Sequence, residues 1–568
     1  MTHLDAWLVH LRSSLDNAAF EKAAENPETA QENVLQGILK ANANTVFGKK
    51  YNFSSIANSK AYAAGIPLQG YEDVEPWVQR MTDGEKNILT KDEPYMYATT
   101  SGTTRNPKLI PVTKTSQNDL RKLIRVWLSS TVRDYPDFFN HGILTITSPA
   151  VEGYTKNGIP TGSMSGLTRA KTPNILKKRY IIPMEVNELL DYDIRYFLLA
   201  RIAFGTQISA VITPNPSTVL RLIRVGQTDQ ERIIDAIHHG KLGIDEEAFE
   251  AQTEEQKAYL RTIESGLTPN PARAGFLESI IRRYGYLCPK GVWPELAIIG
   301  CWLGGSAGIQ AREMRSHFEP DLAIRDLGFR ATEATVSIPL TNGTAAGALA
   351  LQTNYYEFIR EDEIDEEKPE TLLAHQLETG GKYYLILTTS GGLYRYDIND
   401  VVEVQGWHKK TPLIAFLRKG RDMVNITGEK LHLNQVVEAA AEAAKKLEFS
   451  WTQLQLIPDT EASTYDLLLE PEKANSHQGR LEDFLRMFDE YLAQFNVEYK
   501  TKRDSKRLHM PRLNEMKKGW AHRKHRRDVV GSGKRDSQHK WPVIQMEWDQ
   551  DTRNEVSRTI VLSEEDSP

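Results

Sequence analysis

At 568 residues the chain is too long for one ordinary core, so more than one domain is expected. A hydrophobic content of 40% supports packed cores, 26% charged residues suit a wet surface, and a formal net charge of -6 argues against a protein built to coat nucleic acid. The only two cysteines, Cys288 and Cys301, exclude a disulfide framework or a cysteine-rich zinc site and read as buried thiols of a reducing compartment.

The start, MTHLDAWLVHLRSS, lacks the basic residues and long apolar run of a secretory signal. No stretch approaches the ~20 apolar residues of a membrane span, and the closing SEEDSP matches no lipidation signal. The expectation is a cytoplasmic protein with no membrane partner.

Residues 1–50 read as helices, with the apolar residues of NVLQGILKANA at helical spacing and a glycine in GKKYNFSS after them. LTITS (144–148) and ISAVITP (208–214) read as buried strands, and ELLDYDIRYFLLARIAFG and QERIIDAIHHG as helices stopped by glycine. ELAIIGCWLGG is a strand entering a glycine turn, and from 344 to 405 the pattern turns mostly β. EDEIDEEKPE (361–370) reads as a solvated acidic loop. Beyond 416–430, the helix LNQVVEAAAEAAKKLEF, the strands TQLQLIP and YDLLLEP and the helix RLEDFLRMFDEYLAQFNVEY make a self-contained α+β unit. A basic tail follows over 502–540, and its charges, with Trp520 and Trp541 between them, raise a nucleic-acid-binding alternative.

Chemistry concentrates first in YATTSGTTRNPKLIPVT, Tyr97 to Thr113. Five hydroxyl residues and Gly102 lie between Ala98 and Arg105, with Lys108 beyond. Hydroxyls and N–H groups around a glycine form a concave donor set suited to phosphate oxygens, and a lysine adds a point charge. The helix SQNDLRKLIRVWL follows and offers its N-terminus. No Walker A pattern occurs in the chain. GGSAG at 304–308 fits a nucleophile elbow, so a hydrolase using Ser306, with Asp400 and His432 further along, is a second alternative.

Three more segments accompany the hydroxyl loop: LGFRATEATVSIPL (327–340), TTSGGLYRYDINDVVEV (388–404) and FLRKGRDMVNITGEKLHLNQV (416–436). Together with FGKKYNFSS, CWLGGSAG and DSQHKWPVI, in this order, they resemble the adenylate-forming superfamily of acyl-CoA synthetases and luciferase. More closely they are similar to the auxin-responsive acyl acid–amido synthetase family. The resemblance spans nearly the whole chain.

It implies an α/β fold: a large N-terminal adenylation domain over 1–424, of β-sheets with flanking helices plus a β-barrel-like part, and a small mobile C-terminal α+β domain over 425–568. It implies ATP- and Mg²⁺-dependent activation of a small carboxylic acid as acyl-adenylate, then transfer to an amine or amino acid. Transfer to coenzyme A stays open, as does a catalytically inactive nucleotide-binding relative. Carried over by position, Thr100, Ser101, Gly102, Thr103 and Thr104 would hold the phosphates with Lys108 near them. Phe329 would pack on adenine, Thr332 would contact the α-phosphate, Glu333 would bind Mg²⁺ and Asp400 would take the ribose hydroxyls. Either Arg418 or Arg421 takes the hinge arginine's place, and Lys540 would approach the α-phosphate. Arg121 and Arg125 lie on the helix that borders the family's acyl pocket. Departures from the family pattern are Arg105, Ala334 and Asn399, each at a usual glycine, and Asp397, at a usual arginine.

Overall fold

The computed structural model describes the chain except residues 1, 100–107, 306, 365, 367, 421–422, 425, 428, 430, 473–477, 533–540 and 563–568. It packs as two units, Met1–Phe416 and Leu417–Pro568.

The first unit holds three sheets. A parallel one runs Gly142–Thr145, Ile208–Ile212, Ile298–Gly300, Ala323–Arg325 in spatial order. The expected strand 144–148 thus begins two residues earlier and ends at Thr145, because pairing with the neighbouring strand starts where Gly142 meets Ile208. Helices cover this sheet, and Tyr192–Gly205 is buried on nearly every side, as its mostly apolar sequence requires, with Arg195 and Arg201 buried among the apolar residues. That helix starts at Tyr192 rather than upstream because the Asp191 carboxylate accepts the N–H groups of Asp193 (3.0 Å) and Ile194 (2.9 Å), a side-chain cap.

A four-stranded sheet is ordered Leu109–Val112, Met96–Thr99, Pro160–Gly162, Gly153–Tyr154. The β-rich stretch from 344 onward forms most of a six-stranded sheet. Its order is Tyr355–Arg360, Lys382–Thr388, Tyr396–His408, Thr411–Lys419, Gly347–Leu349, Ser337–Ile338. A shared apolar core joins these strands to the N-terminal helices through Leu35, Phe47, Tyr62, Tyr97, Tyr355 and Leu385. Cys288 and Cys301 are buried free thiols, and burial, with Asp326 beside it, pushes the Cys301 thiol up to about 12.

The second unit is a sheet in the order Trp451–Asp459, Thr464–Pro471, Arg512–Met516, Val556–Ile560, packed on helices Leu433–Lys446 and Gln478–Phe495. Glu429, fully buried, accepts from the backbones of Ile426 and Thr427 (both 2.9 Å) and from the Tyr465 hydroxyl, closing the turn before the first helix.

Of the segment read as a basic tail, residues 502–532 are folded. Arg512–Met516 is an inner strand, and Trp520, fully buried, opens the helix Trp520–Ser532 and meets Trp541 edge-on at 5.1 Å. Arg523 pairs with Glu555 at 2.6 Å and Lys524 with Asp549 at 3.3 Å. Trp520, one of the two indoles that the nucleic-acid alternative would stack on bases, is core, and Arg523 and Lys524 are engaged by neighbouring acids. Among the described residues no helix is long and apolar enough to cross a membrane.

Candidate active site

The hydroxyl loop itself, with Thr100, Ser101, Gly102, Thr103, Thr104 and Arg105, lies outside the described residues, and so do Ser306, Arg421 and Lys540. Their flanks are well placed. Met96–Thr99 pairs antiparallel with Leu109–Val112, Met96 opposite Val112 and Thr99 opposite Leu109, so the loop joins the two arms of a hairpin. The helix Lys114–Asp134 follows at once, capped by Thr113, whose hydroxyl accepts the Ser116 N–H at 3.2 Å. In the second unit, the residues after Lys540 are fastened along one strand. Trp541 Nε1 donates to the Leu454 carbonyl at 2.7 Å, and Leu456 N–H donates to the Val543 carbonyl at 2.6 Å.

Glu333 stands at the tip of a tight turn. Phe329 carbonyl accepts the Val336 N–H at 2.8 Å, and Ala334 carbonyl accepts the Ala331 N–H at 2.9 Å, which leaves Thr332 and Glu333 at the bend, half-buried. Ala334 does not take a left-handed backbone, so the family's glycine is not required there. Gly328 at the base is different: its φ is +88°, and a Cβ would lie 2.2 Å from the Ser337 carbonyl oxygen. The turn rises from the C-terminal ends of the parallel strands, the usual ligand side of such sheets. Phe329 is buried against Phe416, ring centres 5.4 Å apart.

Asp400 is buried on the strand Tyr396–His408. Just before it, Asn399 takes a left-handed φ of +58° while its N–H donates to Asp397 Oδ1 at 2.7 Å. Asparagine is among the few side chains that tolerate this conformation, so the substitution preserves the bend a glycine would make. Asp397, at the second departure, supplies the acceptor that closes it. Arg395 is also left-handed, φ +46°, and its buried guanidinium meets Glu357 at 3.0 Å and the carbonyls of Ala63 and Ile66 at 2.8 and 2.7 Å.

Two phenols mark where these pieces converge. Burial raises the pKa of Tyr396, and the charges of Glu333, Asp397 and Asp400 raise it further, as does Tyr71. Burial also raises Tyr71; the Leu109 N–H, which its hydroxyl accepts at 2.8 Å, offsets part of the rise, and Glu75 and Glu333 add to it. Lys108 Nζ lies 5.2 Å from the centre of the Tyr71 ring. Lys108 thus lies against Tyr71, Glu333 acts on both phenols and Asp400 acts on Tyr396, although the three are far apart in sequence. Tyr71 and Tyr396 escaped the sequence reading, for a buried tyrosine in QGYEDVEPW or LYRYD looks like any core aromatic.

Other expectations fare differently. Arg125 Nε meets Asp16 at 2.5 Å, so it ties the N-terminal helix down, and Arg121 Nη1 reaches Asn118 at 3.4 Å. In the second unit, Arg418 is buried and donates to the carbonyls of Lys419 (3.2 Å) and Gly420 (3.4 Å). His432, named with Ser306 in the hydrolase alternative, precedes the helix Leu433–Lys446, its N–H donating to Gln435 Oε1 at 3.0 Å.

Asp326 supports the glycine turn at 301–305. Its carboxylate accepts the N–H groups of Leu303 and Gly328, both at 2.6 Å, yet burial pushes its pKa from the ordinary 3.8 up to about 6. A raised folded-state value means the acid form is favoured by folding. Its stabilisation is complete below about pH 4 and lost as pH rises through 6, about 3 kcal/mol in all. The stability of wild type minus that of Asp326→Asn should therefore fall by that order between pH 4 and 7 in urea unfolding. A constant difference would show that this carboxyl titrates alike in folded and unfolded chains.

Comparison with known proteins gives the architecture a family. The GH3 family N-terminal domain matches residues 17–323, its central domain 347–419 and its C-terminal domain 431–547. An indole-3-acetic acid-amido synthetase, GH3.10 of Arabidopsis thaliana, is 25% identical over 74% of this chain and 76% of its own. A jasmonoyl–L-amino acid synthetase, JAR4 of Nicotiana attenuata, is 23% identical over 75% of each. The solved GH3.15 acyl acid amido synthetase is 17% identical, covers 95% of both chains and superposes with a TM-score of 0.81, a likeness of fold. With the matched domains spanning most of its length, from the N-terminal helices to the second unit, the chain belongs to the GH3 family.

Proposed function

We propose that this protein is an ATP-dependent acyl acid–amido synthetase whose adenylation site is the convergence of Lys108, Glu333 and Asp400. That convergence, in a GH3 family fold, is the observation that carries the reading. A carboxylate oxygen of the acid attacks the α-phosphorus of ATP, the bond to pyrophosphate breaks, and acyl-AMP forms. An amine nitrogen, of an amino acid or another amine, then attacks the acyl carbon; AMP leaves and the nitrogen loses a proton.

Thr100, Ser101, Thr103 and Thr104, with the backbone at Gly102, cradle the phosphates, and Lys108 adds its charge from the hairpin's far arm. Thr332 faces the α-phosphate, Asp400 accepts the ribose hydroxyls, and Phe329 packs near adenine. Glu333 suits Mg²⁺. Among the described residues no three His, Cys, Asp or Glu side chains are placed to hold a metal ion by themselves, and a carboxylate at a turn tip fits a cation that takes most of its ligands from phosphates and water. When bound, Mg²⁺ neutralises charge on the phosphate oxygens. Lys540, from the small mobile unit beginning near 425, approaches the α-phosphate, with Arg418 or Arg421 at the hinge. A cytoplasmic location belongs to the same proposal.

Carboxylate-dependent exchange of labelled pyrophosphate into ATP tests this, over indole, aromatic and fatty acids. Exchange with one acid class is expected, and Lys540→Ala should slow it roughly 10²–10³-fold, the usual value of one preplaced donor to developing charge. Equal rates in wild type and variant would remove that role. No exchange with any acid would overturn the synthetase reading.

A further inference from the structure

One short segment ties three parts of the site together. Gln69 N–H donates to the Arg395 carbonyl at 3.0 Å, and the Gln69 carbonyl accepts the Asp397 N–H at 2.8 Å, so the segment is paired with the chain leading to Asp400. Gln69 Nε2 adds a bond to the Tyr394 carbonyl at 3.1 Å. Two residues on, Tyr71 opens the helix Tyr71–Thr82, whose first turn is closed by Asp73 Oδ2 accepting the Gly70 N–H at 2.9 Å. The side chain of Tyr71 then faces the hairpin. Its hydroxyl accepts the Leu109 N–H, and its ring stands 5.2 Å from Lys108 Nζ. Glu333 acts electrostatically on the same phenol.

Lys108 has no carboxylate partner among the described residues; an aromatic face is what it rests on. Lysine is a point charge on a flexible four-carbon stem, so its position is set by whatever restrains that stem. A ring face attracts the ammonium without neutralising it, unlike a carboxylate, and so leaves the charge available to an anion. The Leu109 bond fixes the residue next in chain.

We infer that Tyr71 is a positioning residue of the nucleotide site: its ring carries the Lys108 ammonium and its hydroxyl anchors the backbone beside it, so this side chain sets where the lysine meets the phosphates. The inference rests on the reading of Lys108 as a phosphate contact. It also explains why the segment before Tyr71 is locked to the Arg395–Asp400 turn: phosphate and ribose contacts are held in one register by Gln69–Tyr71.

The test is a double-mutant cycle read by calorimetric ATP binding with Mg²⁺, on the full chain. Tyr71→Leu removes ring and hydroxyl, Tyr71→Phe the hydroxyl alone, and Lys108→Met the charge. Tyr71→Leu should weaken ATP binding about tenfold and Tyr71→Phe about threefold, from the ordinary worth of a cation–π contact and one hydrogen bond. Tyr71→Leu combined with Lys108→Met should bind no more weakly than Lys108→Met alone, because the two act as one. In pyrophosphate exchange the loss should appear in KM for ATP more than in kcat. Should Tyr71→Leu fail to fold, Tyr71→Met combined with Lys108→Met repeats the cycle with a flexible apolar side chain, and the Tyr71→Phe and Lys108→Met pair tests the hydroxyl anchor alone. Additive losses, or an unchanged affinity in a variant that is merely less heat-stable, would make Tyr71 structural and overturn the inference while leaving the synthetase reading intact. A wild-type chain that binds no ATP would overturn both.

Discussion

Replacing Glu333 by alanine is expected to cut carboxylate-dependent pyrophosphate exchange roughly 10²–10³-fold, with the fold retained. The side chain sits at the bend between Ala331 and Ala334, where backbone hydrogen bonds close the turn. Removing it deletes charge at a point where Asp397 and Asp400 are already close enough to act on the same phenol, so packing should change little. What is lost is the group that holds a cation against the phosphates, and that charge stabilisation is worth several kcal/mol. Raised Mg²⁺ should recover part of the rate in Glu333→Gln and none in Glu333→Ala. Full activity in Glu333→Ala at ordinary Mg²⁺ would remove the metal role from this residue.

Arg395→Ala should be the most destabilising single change in the first unit, at about 3–5 kcal/mol, because it strands a buried carboxylate. Glu357 is 1% exposed and faces the guanidinium at 3.0 Å, while Arg395 also serves the carbonyls of Ala63 and Ile66. Two buried acceptors, Glu357 and the Ile66 carbonyl, and the part-buried Ala63 carbonyl lose their donor at once. Removing both charges, with Arg395→Met and Glu357→Leu, should recover much of the loss, since paired apolar replacements spare the desolvation of either ion. Thermal and urea unfolding would check the order: single far below wild type, double between them. Because the guanidinium also holds the Ile66 carbonyl, three residues before Gln69, the single variant should bind ATP more weakly even where it remains folded. An Arg395→Ala protein as stable as wild type would show that Glu357 finds another donor or a proton.

Much of the organisation was legible before any coordinates. Helices such as Gln230–His239 announce themselves by apolar spacing and a terminal glycine, and Gly240 does take the left-handed cap. The strand ISAVI, buried on both faces, and the alanine-rich helix Leu433–Lys446, buried along its apolar stripe, are likewise local statements. The family was legible because its segments keep their order along the chain. Boundaries were less so: the helix at 192 starts where Asp191 caps it, and the strand at 142 starts where its neighbour pairs, two facts outside a local window. The departures at Ala334 and Asn399 looked like damage in one dimension and prove compatible with the turns in three.

Sequence by itself determined what is local or cumulative: helical and strand periodicity, the caps and turns, a charge balance unsuited to coating nucleic acid, and the residue types able to hold phosphate, ribose and a divalent cation. Tertiary structure alone decided which of them meet. A charged group's partner is chosen by distance in space, and the chain crosses that space many times. That is why Arg125 went to Asp16, why Trp520 became core rather than a stacking platform, and why Lys108 came to rest on Tyr71.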